Sequence, residues 1–185
     1  MRVVGGKYKG KSFKAKVPKE IRPTSDFVRE AIFDILQNFL TFDNITVLDL
    51  FAGTGLLGIE SLSRGASFCH FVDKSKNAVN IIKDNLFSLQ IEKEKYKVTN
   101  ADVFSFLRHY EKPTKFDLVF SDPPYELELN SKLLESTLIF KIARNGTIFV
   151  FETSPKEVFK ENARYKLLRQ KDYGDTTIRF FEFVE

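Results

Sequence analysis

The sequence is poor in the residues that form disulfides and metal sites. It has one cysteine, Cys69, and two histidines among 185 residues, so it excludes an internal disulfide and offers no recognisable zinc spacing. No apolar run approaches the ~18 residues of a membrane-spanning helix, and the opening residues, MRVVGG, lack the apolar core of a signal peptide. These absences predict a cytoplasmic protein without a metal site or a membrane partner. No obvious self-association surface is present, so we also expect a monomer.

Charge is distributed unevenly along the chain. Residues 1–24 contain eight Lys or Arg and one acid, Glu20, whereas the remaining residues are slightly acidic. A basic segment on such a body suggests a polyanionic partner, although a solvated lysine-rich terminus would have the same composition. Glycines and loosely alternating apolar residues predict a β-hairpin arm over 1–24, followed by a single domain over 25–185. The expected RNA-binding residues of the arm are Arg2, Lys7, Lys9, Lys11 and Arg22.

The rest of the chain reads as an α/β domain. Ser25 or Thr24 can cap an amphipathic helix over about 26–40. Five short apolar or β-branched runs then alternate with helical stretches, which is typical of a mostly parallel, doubly wound sheet. The tail, around Gly174-Asp175, predicts an antiparallel hairpin at one sheet edge. The predicted strands are 45–50, 67–72, 96–99, 116–120 and 147–151, and the predicted helices are 56–64, 76–89, 102–109 and 131–143.

Carboxylates follow three successive strands of this predicted sheet. Ligands of open parallel sheets bind at the carboxyl ends of the strands. Asp49 ends the first strand and precedes the loop Gly53-x-Gly55-x-x-Gly58, where a helix opens and free N–H groups face a ligand. Asp73 ends the second strand and suits vicinal ribose hydroxyls. Asp102 follows the third and can accept from an adenine amine or cap the next helix.

Two adenosine cofactors fit this pattern, a nicotinamide dinucleotide and S-adenosylmethionine. A pyrophosphate would disfavour the Asp49 carboxylate just ahead of the glycine loop, whereas the ammonium group of S-adenosylmethionine would favour it. Lys74, after Asp73, is a further candidate for cofactor contact, although an ordinary lysine that faces solvent would account for it too. Phe51 is a candidate cation–π partner of the sulfonium or a core residue.

The fourth strand ends in Asp122-Pro123-Pro124-Tyr125, and this stretch selects S-adenosylmethionine. The lone pair of an amine on an aromatic ring is delocalised into the ring, so methyl transfer needs acceptors that hold the two N–H groups. The Asp122 carboxylate and the Pro123 carbonyl can accept them, because a Pro-Pro step keeps its carbonyls out of the sheet. The Tyr125 ring can stack on the base. A paired base must first leave its stack to reach this slot.

These motifs resemble a known family. "DLFAGTGLLGIE" and "DPPY" resemble two motifs of class I S-adenosylmethionine-dependent methyltransferases. "RVVGGKYKGKSF" and "RPTSDFVREAIFDIL" resemble the bacterial 16S rRNA (guanine-N2)-methyltransferases, and the likeness spans nearly the whole chain. It implies a Rossmann-like, seven-stranded sheet with an antiparallel last strand, and a guanine in 16S rRNA, within the small subunit or its precursor, as the substrate.

The resemblance also implies roles for individual residues. Asp49, Gly53 and Gly55 would contact the methionine part of the cofactor. Asp73 would hold its ribose. The resemblance further implies that Asp102 and Val103 hold the adenine, that Asp122, Pro123 and Tyr125 address the guanine, and that Arg22 and Thr24 border the transfer site. "DPPY" also occurs in adenine-N6 methyltransferases, so an adenine in DNA or RNA is the rival substrate; a nucleic-acid-binding protein on a decayed methyltransferase scaffold is the rival outside enzymes.

Overall fold

Seven strands form one sheet at the centre of the protein. The computed structural model describes residues 2–13, 25–124, 128–160 and 162–185. The strand order is β3-β2-β1-β4-β5-β7-β6; β1 to β5 are parallel, and β7 runs antiparallel to both of its neighbours. The predicted Rossmann-like topology with an antiparallel last strand is therefore confirmed. The strands are β1 Thr46–Leu50, β2 Phe68–Asp73, β3 Tyr96–Asn100, β4 Leu118–Ser121, β5 Ile148–Thr153, β6 Tyr165–Tyr173 and β7 Thr176–Phe183.

Helices cover both faces of the sheet. The α-helices are α1 Asp26–Leu36, α2 Leu56–Ser63, α3 Lys76–Ser88, α4 Val103–Arg108 and α5 Leu129–Glu135. Ser25 caps α1 as predicted, because its Oγ accepts from the Val28 amide. Among the helices of the described residues, none has both the length and the apolar character to span a bilayer.

Two predicted helices differ from the observed ones. The helix expected over 26–40 ends at Leu36, because the Asn38 amide donates to the carbonyls of Asp34 and Ile35 and competes with further helical bonds. The helix expected over 131–143 begins earlier, at Leu129, and stops at Glu135. Ser136 then caps a 3₁₀ turn over Thr137–Lys141.

Each face of the sheet has its own hydrophobic core. One cluster contains Val47, Phe71, Phe120, Val150 and Ile178, together with residues of α1, α2 and α3. The other contains the side chains that point to the opposite face of the same strands, together with residues of α4 and α5. Because side chains alternate along a strand, residues two positions beyond Phe71, Phe120 and Val150 return to the face of the first cluster. This alternation decides which strand-end side chains meet.

Residues 2–13 are docked on the domain and form less regular structure than the predicted β-hairpin. A single antiparallel bridge joins Arg2 to Ser12, and Gly6–Tyr8 form a 3₁₀ turn. The amides of Val4 and Tyr8 donate to Glu60 and Ser63 side chains of α2, so they are not available to a partner strand. Backbone pairing within residues 2–13 is thus short: besides the bridge, the Val3 amide donates to the Lys11 carbonyl at 3.0 Å and the Gly10 amide to the Val3 carbonyl at 2.8 Å. The rest of the predicted arm, residues 14–24, lies outside the described residues.

Candidate functional site

Four carboxylate residues occupy the carboxyl ends of four neighbouring strands on the same face of the sheet. Asp49 pairs in register with Phe71 and with Phe120. Asp73 lies two residues beyond Phe71, and Asp122 lies two residues beyond Phe120. Glu152, two residues beyond Val150, pairs with Ile178 of β7. A row of acidic side chains therefore runs along the carboxyl ends of β2, β1, β4 and β5, which is the edge where ligands of parallel sheets bind.

Asp49 is almost completely buried in this row. The residue is 3% exposed, and its carboxylate accepts a hydrogen bond of 3.0 Å from the Gly58 amide in α2. Burial, together with the charge of Asp73, raises the pKa of Asp49 to about 8, against the lowering effect of that hydrogen bond. No Lys or Arg within the described ranges forms an ion pair with it. A buried acid of this kind favours a cationic ligand group.

The glycine loop between β1 and α2 adopts a conformation that side chains would prevent. Gly55 is the N-cap of α2 with φ of 76°, in the left-handed region. Gly58 lies so close to β2 that an added Cβ would be 2.6 Å from Cys69 Sγ and would overlap the Phe71 ring. The helix N-terminus can therefore approach the strand ends closely, with its free N–H groups directed to this edge.

Asp73 links the glycine loop to the next turn. One of its carboxylate oxygens accepts from the Gly53 amide at 2.9 Å, and the other accepts from the Ser75 amide at 2.8 Å. Both oxygens keep a lone-pair site, because a carboxylate can accept about four hydrogen bonds. The side chain is thus fixed in place and can still bind two vicinal hydroxyls. Lys74 is exposed, and its carbonyl accepts from the Asn100 amide at 2.9 Å.

Asp102 and Phe51 have the structural roles, helix cap and core residue, that the sequence predicted as alternatives to cofactor contacts. Asp102 is the N-cap of α4, and its carboxylate accepts from the Ser105 amide at 2.9 Å. It is exposed, whereas Val103, next to it, is buried in the second cluster. Phe51 packs against that same cluster and has a positive φ of 55°. A contact of these residues with adenine or sulfonium stays a prediction.

Asp122 lies half-buried directly after β4, and Pro123 is buried beside it. Burial and the negative charges of Glu152 and Asp49 raise the pKa of Asp122 well above its usual range. Perturbed carboxylates of this kind concentrate at functional sites. The other predicted residues of this slot, Tyr125, Thr24 and Arg22, lie outside the described residues.

Glu152 is a site residue that our sequence reasoning missed. It is 9% exposed, and its backbone carbonyl accepts a hydrogen bond of 2.9 Å from the buried Asn130 side chain of α5. The rule that selected Asp49, Asp73 and Asp122 would have found it, since Glu152 directly follows the predicted strand 147–151. The predicted site residues follow only the first four strands, and Glu152 follows the fifth.

Within the described residues 2–13, the basic side chains are not gathered at this edge. Lys7, Lys9 and Lys11 are exposed, and the Nζ atoms of Lys7 and Lys11 lie 5.3 and 5.2 Å from the centre of the Tyr8 ring. Tyr8 contacts Ser63 at the end of α2, about 12 Å along the helix from the glycine loop at 1.5 Å per residue. Arg2 lies elsewhere, 3.7 Å from Asp26 at the start of α1.

The donor set of this edge fits S-adenosylmethionine. The buried Asp49 lacks a cationic partner in the described part of the chain, and an ammonium group would provide one. Asp73 has the geometry of a ribose acceptor, and the α2 N-terminus leaves room for a ligand against its backbone. Within the described residues, no three His, Cys, Asp or Glu side chains are grouped as metal ligands.

Comparisons with known proteins give the family. The model of the family described as "Conserved hypothetical protein 95" matches residues 1–182. YlbH of Bacillus subtilis is 35% identical over 185 residues, 98% of each chain. Ribosomal RNA small subunit methyltransferase D of Escherichia coli is 30% identical over 98% of this chain and 89% of its own.

Solved structures share the fold over most or all of the chain. The yhhF structure from Escherichia coli covers 100% of this chain and 98% of its own, with a TM-score of 0.82 and 30% identity. SMU.776, solved in complex with SAH, shares the fold at a TM-score of 0.66 and 14% identity, over 83% of this chain and 49% of its own. The protein has a class I methyltransferase fold. It belongs to the Conserved hypothetical protein 95 family, and its relatives include the ribosomal RNA small subunit methyltransferases D.

Proposed function

We propose that this protein transfers a methyl group from S-adenosylmethionine to the exocyclic N2 amine of a guanine in 16S rRNA, within the small ribosomal subunit or its precursor. The observation that carries the proposal is the combination, on adjacent strands, of a buried acid that has no ion-pair partner among the described residues, Asp49, and the Asp122-Pro123 strand end. The first provides a site for the cofactor ammonium, and the second provides acceptors for an aromatic amine. The names of full-length relatives support rRNA as the substrate class.

The chemistry needs positioning more than acid–base catalysis. Bound S-adenosylmethionine supplies an electrophilic methyl group on a sulfonium, whose sulfur is an excellent leaving group. Asp122 and the Pro123 carbonyl hold the two N–H groups of the amine so that its lone pair turns toward the methyl carbon. As the N–C bond forms and the C–S electron pair stays on sulfur, the nitrogen becomes cationic and then loses one proton. The Asp122 carboxylate stabilises that charge and can accept the proton.

The basic N-terminal segment then serves RNA binding away from the slot. Lys7, Lys9 and Lys11 are exposed around the Tyr8 ring on the side of α2 that is remote from the glycine loop. Contacts with phosphates there can offset the few kcal/mol that extrusion of a base costs. The segment would thus grip folded RNA while the carboxyl edge receives a single base.

The decisive experiment is methyl transfer to small subunits from a strain that lacks this protein. Subunits are incubated with the enzyme and S-adenosylmethionine labelled on the methyl group, then digested to nucleosides and analysed by mass spectrometry. We expect label in N2-methylguanosine only, and subunits from the parent strain should accept none. Label in N6-methyladenosine would contradict the proposal and support the adenine alternative, and no transfer together with no calorimetric affinity for S-adenosylmethionine would support a binding protein on a decayed scaffold.

Cofactor affinity should rise with pH, because Asp49 must lose a proton to pair with the ammonium. Its pKa of about 8 means that the free protein holds this proton at neutral pH. S-adenosylhomocysteine, which carries the same ammonium, should bind with release of close to one proton at pH 6.5, and its affinity should rise up to ~10-fold per pH unit below pH 8. Calorimetry in two buffers of different ionisation enthalpy measures the released protons.

The variant Asp49→Asn is the control for this pH dependence. It should bind S-adenosylhomocysteine more weakly at pH 8 and with no proton release at pH 6.5. The free protein should show the opposite trend in stability: its raised Asp49 pKa favours the folded state at low pH and loses this contribution as pH rises from about 4 to about 8. Proton release by the variant equal to that of the wild type would exclude Asp49 as the source.

Charge reversal in the basic segment should weaken binding to subunits without affecting the cofactor site. If Lys7, Lys9 and Lys11 each contact a phosphate, their replacement by Glu should remove about three released counterions and lower the magnitude of the slope of log K against log salt by ~2–3. Affinity for S-adenosylhomocysteine should stay within twofold. Reversal of three exposed lysines elsewhere, Lys156, Lys160 and Lys166, is the matched control, and an equal change of slope in both variants would contradict a specific role for the segment.

A further inference from the structure

An exposed aromatic ring lies at the carboxyl edge of the sheet and has no part in the cofactor site or the slot. Phe27, in the first turn of α1, is 71% exposed. Its ring meets the ring of Tyr173 edge to face, with 6.2 Å between the centroids. Tyr173 is the last residue of β6 and is half-buried against the first cluster. A packed ring thus supports an exposed one.

The strand register places this pair of rings on the same edge and face as Asp122. Two strands, β5 and β7, separate β4 from β6, and the row of paired residues that starts at Ser121 ends at Gln170. Asp122 and Lys171 therefore belong to the next row, three strand spacings or about 14 Å apart. Tyr173, two residues beyond Lys171, returns to the same face. A nucleic-acid strand with one base in the slot can therefore reach the rings with a neighbouring nucleotide.

Two basic residues accompany the rings on β6. Arg169 and Lys171 are exposed, and they pair with Phe180 and Ile178 of the first cluster. Because paired residues share a face of the sheet, both basic side chains point to the side of Tyr173. Neither forms an ion pair with an acid of the described ranges. Rings and cations on one surface are typical of single-stranded nucleic-acid binding.

The acids around this surface limit where phosphates can bind. Asp172 points to the opposite face, where it accepts from the Thr177 hydroxyl at 2.6 Å, and Asp26 is engaged by two arginines. Glu30, one turn along α1, and Asp175, in the turn between β6 and β7, are exposed. Phosphates are therefore expected on the β6 side of the rings, beside the two basic residues.

A single exposed phenylalanine is ordinary on a protein surface, and α3 carries one. Phe87 is 84% exposed, and α3 packs against β2 and β3, at the end of the sheet opposite to β6. Phe27 differs from it by having a supporting ring, two basic neighbours and a place on the edge that holds the slot. These differences favour a nucleic-acid partner for Phe27, and they make Phe87 a matched control.

We propose that the Phe27 ring, supported by Tyr173, stacks on a base of the rRNA strand that flanks the extruded guanine, while Arg169 and Lys171 bind the phosphates of that strand. Such stacking tolerates any base, so it would fix the position of the strand without reading its sequence. It would also offset part of the cost of extruding the guanine. This inference rests on the proposed function and adds to it an RNA contact beside the slot.

The first test is the effect of Phe27 on the kinetics of methyl transfer to small subunits. Phe27→Ala should raise KM for subunits by about 5- to 100-fold, the range expected for loss of one stacked ring. A contact made equally before and during the reaction leaves kcat unchanged. Phe27→Trp should restore the wild-type KM, whereas Phe27→Leu, which is apolar but has no ring, should not. Phe87→Ala should leave KM unchanged, and unaltered S-adenosylhomocysteine affinity verifies that each variant is folded.

Photocrosslinking then identifies the partner molecule. Irradiation of Phe27→p-benzoylphenylalanine with small subunits should attach it to 16S rRNA next to the methylated guanosine, and the same change at Phe87 should not. Replacing Arg169 and Lys171 together by Gln should lower the magnitude of the slope of log K against log salt by about 1–2.

The possible failures can be told apart. A wild-type KM in Phe27→Ala, a loss of kcat alone, or attachment to a ribosomal protein would overturn the stacking contact and leave the proposed function intact. An unchanged salt slope would overturn the phosphate contacts. Absence of N2-methylguanosine with the wild type would overturn the proposed function itself.

Discussion

Replacing Asp122 with Ala should reduce methyl transfer by ~10²- to 10³-fold and leave cofactor binding almost unchanged. The carboxylate is proposed to orient the amine and stabilise the charge that develops on nitrogen, and loss of one such preorganised group typically costs about 10²–10³-fold in kcat. Loss of the side chain also removes the acceptor from a half-buried slot. Single-turnover transfer to subunits measures the rate, and calorimetry with S-adenosylhomocysteine measures the affinity.

The variant Asp122→Asn separates charge from shape. Its amide oxygen can still accept one hydrogen bond, so we expect an intermediate rate. The pH profile gives an independent readout, because a protonated Asp122 cannot accept from the amine. Since its pKa is raised, kcat/KM of the wild type should fall as pH decreases through that raised value, and the fall should shift or disappear in the Asn variant. Parallel loss of activity and cofactor affinity in Asp122→Ala would contradict the proposed division of roles.

The strand ends were predictable because they depend on local rules. A carboxylate after an apolar run, and a glycine loop before a helix, place Asp49 and Asp73 at one edge of a parallel sheet whatever the rest of the chain does. The Ser25 and Asp102 caps follow from equally local chemistry, and the structure confirms both. Glu152 obeyed the same rule and was overlooked by incomplete application of it.

The docking of the N-terminal segment was not predictable in this way. Glu60 lies in the sequence LLGIESLS, where a single charge suggests an exposed position on a helix. In the fold it is 1% exposed and meets Val4 and Arg29 from two distant stretches of chain, as well as Arg64 four residues along. These contacts of Glu60 depend on how α1 and the N-terminal segment pack against α2, and the hydrophobic periodicity of the sequence does not specify that packing. For the same reason, the sequence predicted a hairpin arm without its docking on α2, and residues 2–13 show one antiparallel bridge, from Arg2 to Ser12.

Removal of Glu60 should produce the largest loss of stability among single substitutions in this region. Its carboxylate accepts from the Val4 amide at 3.0 Å, pairs with Arg64 at 3.0 Å and lies 3.8 Å from Arg29. The Arg29 side chain is 0% exposed. Glu60→Ala would leave a buried arginine with less compensating charge, and breaking one side of a buried ion pair typically costs ~3–5 kcal/mol. Urea unfolding followed by circular dichroism measures the change.

The same substitution tests whether docking of the N-terminal segment matters for RNA. Glu60 holds the Val4 backbone, so its loss should release residues 2–13 from α2 and weaken subunit binding beyond the effect on global stability. Glu30→Ala, an exposed glutamate on α1, should change the unfolding free energy by less than ~0.5 kcal/mol and leave binding intact. If Glu60→Ala keeps wild-type stability and subunit affinity, the buried network does not anchor the segment, and the basic residues bind RNA without a fixed orientation relative to the carboxyl edge.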